Sequence, residues 1–339
     1  VPAAPVDPGD PLPELTEAEL GRFLLGKAVF ERLTTAEEGL GPLFNENRCS
    51  SCHDVPASGG SGPALVTKAT RFEAGRCDLL IPQGGDNFQR RATPLLAAHG
   101  IEGEKVPEEA TAQVSVTGPS LFGLGLIEAI PEEAIMAYHD PDDADGDGIS
   151  GRAVRAGADQ LGRFGRKNEV ATVLDFVETA LRFELGLTTP VNPVEETVNG
   201  EPLPAGTDPF PEPEIDDRGM AILTDYIRFL APPAREVPAT DALRDSLEAG
   251  SELFAEVGCA SCHVPSFQTG RVESGALSRR DVPMYSDLLL HDMGPGLADV
   301  CGPDASPAEY RTARLWGLRY RSVFMHDGSA DSVLDAIAV

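Results

Sequence analysis

Residues able to do redox chemistry occur twice in one five-residue order, Cys49-Ser50-Ser51-Cys52-His53 and Cys259-Ala260-Ser261-Cys262-His263. Two thiols three positions apart can reach both vinyl groups of one porphyrin, and the adjoining histidine then lies under the iron as its proximal ligand. Each copy therefore reads as a c-type haem attachment site, with Cys49, Cys52, Cys259 and Cys262 as tethers and His53 and His263 as iron ligands. A zinc half-site or a thioredoxin-like thiol pair would leave the following histidine as coincidence, twice. Cys77 and Cys301 remain, either as a disulfide or as two thiols.

Other side chains qualify for supporting roles. Glu128 stands in an apolar run, where burial would raise its pKa towards that of a proton-transfer group, although a solvated or arginine-paired glutamate fits the same position. Asp143, Asp145 and Asp147 alternate as in a calcium loop with Gly148 in sixth place, yet Val154 occupies the twelfth position, where a bidentate glutamate belongs. The bland counterpart is an Asp/Gly-rich turn. Trp316, the only tryptophan, reads as a packing residue.

The elements that must position these groups are mostly helical by pattern. Val173, Val177, Leu181 and Leu185 make one stripe within a helix expected over Glu169–Leu185. Met220, Leu223, Ile227 and Leu230 make another over Asp216–Leu230, stopped by Pro232-Pro233 and suited to closing the first haem crevice. Gly26–Phe30 and Gly250–Phe254 form a weak repeat ahead of the two motifs. Thr189–Pro213, crowded with proline, glycine and acids, reads as a long surface loop.

These features predict a mainly α protein with few strands: two cytochrome c-like domains with long inserted loops. Residues 1–15 are expected as a flexible arm, 16–235 as an N-terminal haem domain, and 236–339 as a C-terminal haem domain incomplete at its end. With 27 basic against 55 acidic residues the net charge is −28, which disfavours nucleic acid and anionic membranes and favours a cationic redox partner or simple solubility. No run approaches the roughly eighteen apolar residues of a membrane span. Covalent haem attachment happens outside the cytoplasm, so a periplasmic chain with its signal removed is expected, and the arm could equally trail from a lipid anchor.

The two motifs, together with Leu121–Pro131, Asp145–Arg152, Leu289–Gly294 and Leu315–Leu318 up to His326-Asp327-Gly328, make the chain resemble the di-haem oxidoreductase family, relatives of bacterial di-haem cytochrome c peroxidases and of the methylamine-utilisation di-haem enzyme. The resemblance implies two covalently bound haems, one substrate-accessible above His53 and one six-coordinate, electron-transferring haem above His263. It also implies peroxide as oxidant and a small redox protein as electron donor or acceptor. In the relatives the sixth ligand of the second iron comes some seventy to ninety residues after its motif, at or past Val339, which leaves His291, Met293 and Met325 as in-chain candidates. A distal histidine of the resting relatives suggests His99 as a group that could swing onto the first iron. The rival reading is a non-enzymatic di-haem electron carrier serving a larger redox complex.

Overall fold

The computed structural model describes residues 6–339. Its eight α-helices are α1 Glu17–Glu31, α2 Pro94–Ala97, α3 Leu124–Glu128, α4 Glu132–Met136, α5 Val173–Leu185, α6 Asp217–Phe229, α7 Asp241–Glu256 and α8 Val333–Ala338. The long ones begin where an N-cap side chain satisfies a free backbone N–H: Thr16, Thr172, Asp216 and Thr240 do so for α1, α5, α6 and α7. Glu19 completes a capping box on α1 by accepting from Thr16 N.

Both anticipated apolar stripes face the core. Val173, Val177, Leu181 and Leu185 are the buried positions of α5, and Met220, Leu223 and Ile227 are buried on α6 with Tyr226 and Phe229. Helix α1 crosses α6 so closely at Gly26 that a Cβ there would lie 2.3 Å from the Ile222 carbonyl. A larger residue would therefore push the two helices apart. In the repeat on α7, Gly250 meets nothing within 4 Å, and no residue of α7 is buried.

The expectation of a mainly α protein with few strands does not hold: the chain is 28% helix and 16% strand. The largest departure is a four-stranded antiparallel sheet between the first motif and α3. Leu65–Glu73 pairs with Arg76–Asp78, Asn87–Phe88 and Ala112–Thr117, in register from Leu65 opposite Thr117 to Thr70 opposite Ala112. Its cause is local. Val66, Thr67 and Thr70 in one segment and Val114, Val116 and Thr117 in the other are β-branched, which suits a pleated, half-buried surface better than a helix. Four two-stranded ladders add the rest, among them Leu290–Asp292 with Glu309–Arg311.

Of the arm expected to be flexible, residues 1–5 lie outside the described residues. The remainder docks: Leu12 is buried, its N–H donates to the Phe229 carbonyl at 2.7 Å, and Ala231 N donates to the Asp10 carbonyl at 3.1 Å. One apolar core runs from Phe23 and Phe30 through α5 and α6 to Val264, Phe267, Met284 and Leu289, so both sides of the expected join at 231–240 share it. Arg152 and Leu290 exchange backbone hydrogen bonds of 2.9 Å, and the Arg152 guanidinium reaches Glu309 at 2.8 Å. Among the described residues no helix is long and apolar enough to cross a membrane.

Cys77, on the hairpin strand of the sheet, is disulfide-bonded to Cys301 across 224 residues of sequence. Such a bridge restricts the unfolded chain over most of its length. Replacing both residues (Cys77→Ser with Cys301→Ser) is expected to cost about 2–5 kcal/mol, read as a lower denaturant midpoint. An unchanged midpoint would contradict this role.

Candidate functional site

Each attachment motif folds as one 3-10 turn, Cys49–Ser51 and Cys259–Ser261, with its histidine just beyond. The repeat ahead of each motif places an aromatic ring beside that histidine: Phe30 lies 6.3 Å from His53 and Phe254 lies 6.4 Å from His263, centroid to centroid. His53 Nδ1 meets the Gly60 carbonyl at 3.2 Å, and His263 Nδ1 meets the Tyr285 carbonyl at 2.8 Å. A carbonyl only accepts, so Nδ1 carries the proton and Nε2 of the neutral ring keeps its lone pair for a metal. Burial lowers the His53 pKa against the pull of the Gly60 and Pro119 carbonyls, which favours that neutral ring.

The Cys49 and Cys52 thiols are free of one another and, chiefly through burial and the nearby Glu184 charge, pushed up to about 12. Thiols so hard to ionise are poor exchange nucleophiles, which argues against a thioredoxin-like pair. Beside Cys49 opens a cavity of about 460 Å³, walled by Val29 of α1, Leu181 and Leu185 of α5, and Leu223 of α6. A second cavity, about 640 Å³, separates Ala260 and Ser261 from the acidic loop and is lined by His139, Asp145, Asp287 and His291. Both fall in the size range of cofactor pockets. Among the described residues no histidine or methionine lines the first cavity, whereas two histidines line the second.

Four arginines gather near the first motif. Arg166 donates to the Thr117 carbonyl at 3.0 Å, Arg314 to the Ser120 carbonyl at 2.8 Å, and Arg311 to the Gly165 carbonyl at 2.9 Å. The Thr117–Ser120 segment abuts His53, since a Cβ on Gly118 would lie 2.6 Å from the Cys52 carbonyl and 3.1 Å from the His53 ring. Burial, then repulsion among Arg311, Arg321 and their neighbours, brings Arg166 down to about 10 and Arg314 to about 9. Burial lowers Arg311 and Arg321 in the same direction. Among the described residues none of the four forms an ion pair. All four are half-buried, and cations partly withdrawn from water without a carboxylate partner suit an anionic ligand. The two motif thiols, a histidine held through Nδ1, a cavity walled by leucines on one side and charged residues on the other, and cations outside any ion pair together fit haem, whose propionates are carboxylates that arginine binds well.

Residues 106–339 match the model of a family described as "Di-haem oxidoreductase, putative peroxidase". The chain belongs to the di-haem oxidoreductase family. The family implies two haem groups, and the matched region contains the second motif while the first lies ahead of it. No curated protein sequence is significantly similar. Among solved structures, a single-residue variant of the diheme peroxidase BthA from Burkholderia thailandensis is 17% identical, covering 99% of this chain and 74% of that one at a TM-score of 0.31. A likeness that slight supports no further step.

In this di-haem oxidoreductase the residues singled out from sequence are dispersed. Glu128 lines neither cavity: its Oε2 accepts from Arg228 Nε at 2.6 Å, and its Oε1 accepts from Arg228 Nη2 at 3.2 Å and from Val173 N at 2.8 Å. It thereby ties α3 to α6 and to the start of α5. His291 lies beside Cys262, its Nδ1 3.7 Å from that sulfur and its Nε2 2.7 Å from the buried Asp287. Met293 is 49% exposed, His99 is exposed, and His326 contacts Asp299 at 3.0 Å and Tyr310 at 3.3 Å. Asp143, Asp145 and Asp147 do converge, each bonded to the turn's own N–H groups, while Val154 is buried away from them.

Trp316 packs against the core. Leu315 N donates to the Met284 carbonyl, next to the Tyr285 carbonyl that holds His263, and the indole packs on Gly123, 2.6 Å from where a Cβ would stand. Leu121, two residues before Gly123, donates to the Gly59 carbonyl, next to the Gly60 carbonyl that holds His53. The tryptophan thus packs between the segments that adjoin the two histidine-holding loops.

Sequence reasoning missed the arginine group and Glu184, a buried carboxylate raised by burial and held by Asn87 at 2.8 Å and Asn45 at 3.1 Å. A signal for the first existed in the density of arginine from Arg311 to Arg321 in so acidic a chain. For Glu128 the geometry predicts a structural role. Glu128→Ala should cost about 1–3 kcal/mol in denaturant unfolding and leave haem content and peroxide reactivity unchanged. Lost reactivity at unchanged stability would return Glu128 to the chemistry.

Proposed function

We propose that the chain is a peroxidase-like di-haem c-type oxidoreductase acting outside the cytoplasm, with a substrate-accessible site at His53 and an electron-transfer site at His263. The observation carrying this reading is the asymmetry of the two cavities. Cys49 lines the first and, among the described residues, no histidine or methionine does, while the second is lined by His139 and by His291, whose two ring nitrogens already meet Cys262 and Asp287, so that His139 is the side chain there suited to ligating an iron. Haem bound in these places supplies an iron that changes oxidation state and takes its proximal ligand from the histidine.

The chain's own residues do the rest. Gly60 and Tyr285 orient His53 and His263 through Nδ1. Leu181, Leu185 and Leu223 give the first cavity its apolar wall, opposite a rim that includes Arg32, Glu38 and Arg48. Arg166, Arg311, Arg314 and Arg321 hold negative charge beside the first motif. Glu184 lines neither cavity but is raised by burial and lies close enough to Cys49 and Cys52 to shift their thiols, which makes it the carboxylate suited to holding a proton beside the first motif. Peroxide is the oxidant, and a small cationic redox protein is the electron partner favoured by a net charge of −28. The Cys77–Cys301 disulfide supports an oxidising compartment. Two haem units, 16–235 and 236–339, meet at the 231–240 segment in this reading.

Electron paramagnetic resonance of the purified ferric protein tests it. A high-spin signal that disappears on adding peroxide, and that Glu184→Gln keeps while slowing its disappearance about a hundredfold, is the expected result. Two low-spin irons unreactive in both the oxidised and the half-reduced protein would make this a di-haem electron carrier instead.

A further inference from the structure

The segment between α5 and α6, from Gly186 to Asp216, contains no α-helix and no paired strand beyond one isolated bridge. A connection that long needs ties to hold one shape. Within it, Glu195, Asp208, Glu212 and Glu214 each bring a carboxylate oxygen within 4.8 Å of the others.

Donors for these eight oxygens are few. Thr188 N reaches Glu214 Oε2 at 2.6 Å, and Phe210 N reaches Asp208 Oδ1 at 3.1 Å. The Thr188 hydroxyl lies against both Glu212 Oε2 and Glu214 Oε2 but has one proton to give. Glu195 Oε1 and Glu214 Oε1 are wholly buried oxygens with no hydrogen-bond partner. Among the described residues no lysine, arginine or histidine forms an ion pair with any of the four. Burial, then Glu214 and Glu212, push Glu195 up to about 10, and burial with Glu212 pushes Asp208 up to about 6. Four carboxylates in contact, two of them with bare buried oxygens, repel one another until protons or a cation come between them.

We propose that Glu195, Asp208, Glu212 and Glu214 bind a calcium ion that fixes this segment. All the ligands are hard oxygens, with no nitrogen or sulfur to select zinc or copper. Four carboxylates on an irregular loop can supply the six to eight oxygens calcium accepts, whereas magnesium demands a stricter octahedron and keeps its waters. The site is distinct from the Asp143–Asp147 turn, whose exposed carboxylates are satisfied by their own backbone. Pro213, Glu214, Ile215 and Asp216 also wall the first cavity, so the ion would stiffen one side of it.

The test is a calcium titration of the whole purified protein after EGTA treatment and desalting, followed by thermal unfolding and by counting bound calcium. Calcium at 1 mM is expected to raise the unfolding midpoint by about 5 °C or more, and magnesium to do much less. The rise should survive in Asp145→Asn/Asp147→Asn and vanish in Glu195→Gln/Glu212→Gln. No rise in the unsubstituted protein would mean that the carboxylates share protons, and a rise that survives Glu195→Gln/Glu212→Gln would place the ion elsewhere. Either overturns the proposal. Should that double variant fail to fold, the Asp145/Asp147 variant decides alone: one tightly bound calcium supports the site, none overturns it.

Discussion

A backbone carbonyl against Nδ1 of each attachment histidine is the constraint from which the rest of the site follows. Because a carbonyl cannot donate, each ring is fixed in one tautomer and one rotation, with Nε2 turned to whatever lies opposite. The carbonyls themselves must then be held. Gly59 and Gly60 are fixed by Leu121 N and by the loop's own bonds to Val55 and Ala57, and Tyr285 sits next to Met284, which accepts from Leu315 N. Those loops rest in turn on the α1, α5 and α6 core and on Trp316. Two sites far apart in sequence thus rest on one packed interior.

Charge is distributed against the average of the chain. The protein carries −28 overall, yet beside its first motif it gathers half-buried arginines without carboxylate partners. Such a group costs free energy until an anion meets it, which makes binding of that anion also a folding event for this region. The opposite imbalance occurs between α5 and α6, where carboxylates meet without a cation. An acidic exterior around a basic interior would repel anions from the surface while holding bound ones inside.

Much of the site was legible in the sequence and much of the fold was not. The two Cys-x-x-Cys-His words are local, so their turns and histidines needed no tertiary information. The stripes of α5 and α6 were equally plain, because helical spacing of Val173 to Leu185 and of Met220 to Ile227 reports a buried face directly. The strands left a weak signal: the β-branched residues of Leu65–Thr70 and Ala112–Thr117 are few, mixed with polar residues and without a clean two-residue period. Glu128 misled because an apolar neighbourhood in sequence does not reveal the arginine that α6 brings to it. The pairing of Cys77 with Cys301, the convergence of Arg166 with Arg314, and the position of Trp316 all depend on contacts between distant segments, which spacing does not encode.

The central claim is that both five-residue words carry covalently attached haem. Intact-mass measurement of the protein after denaturation and acid extraction tests it most directly, since only thioether-linked porphyrin stays with the chain. The account predicts a polypeptide heavier by two haem groups, with no alkylatable thiol at Cys49, Cys52, Cys259 or Cys262. A chain of unmodified mass, or one in which those four thiols alkylate freely, would contradict it.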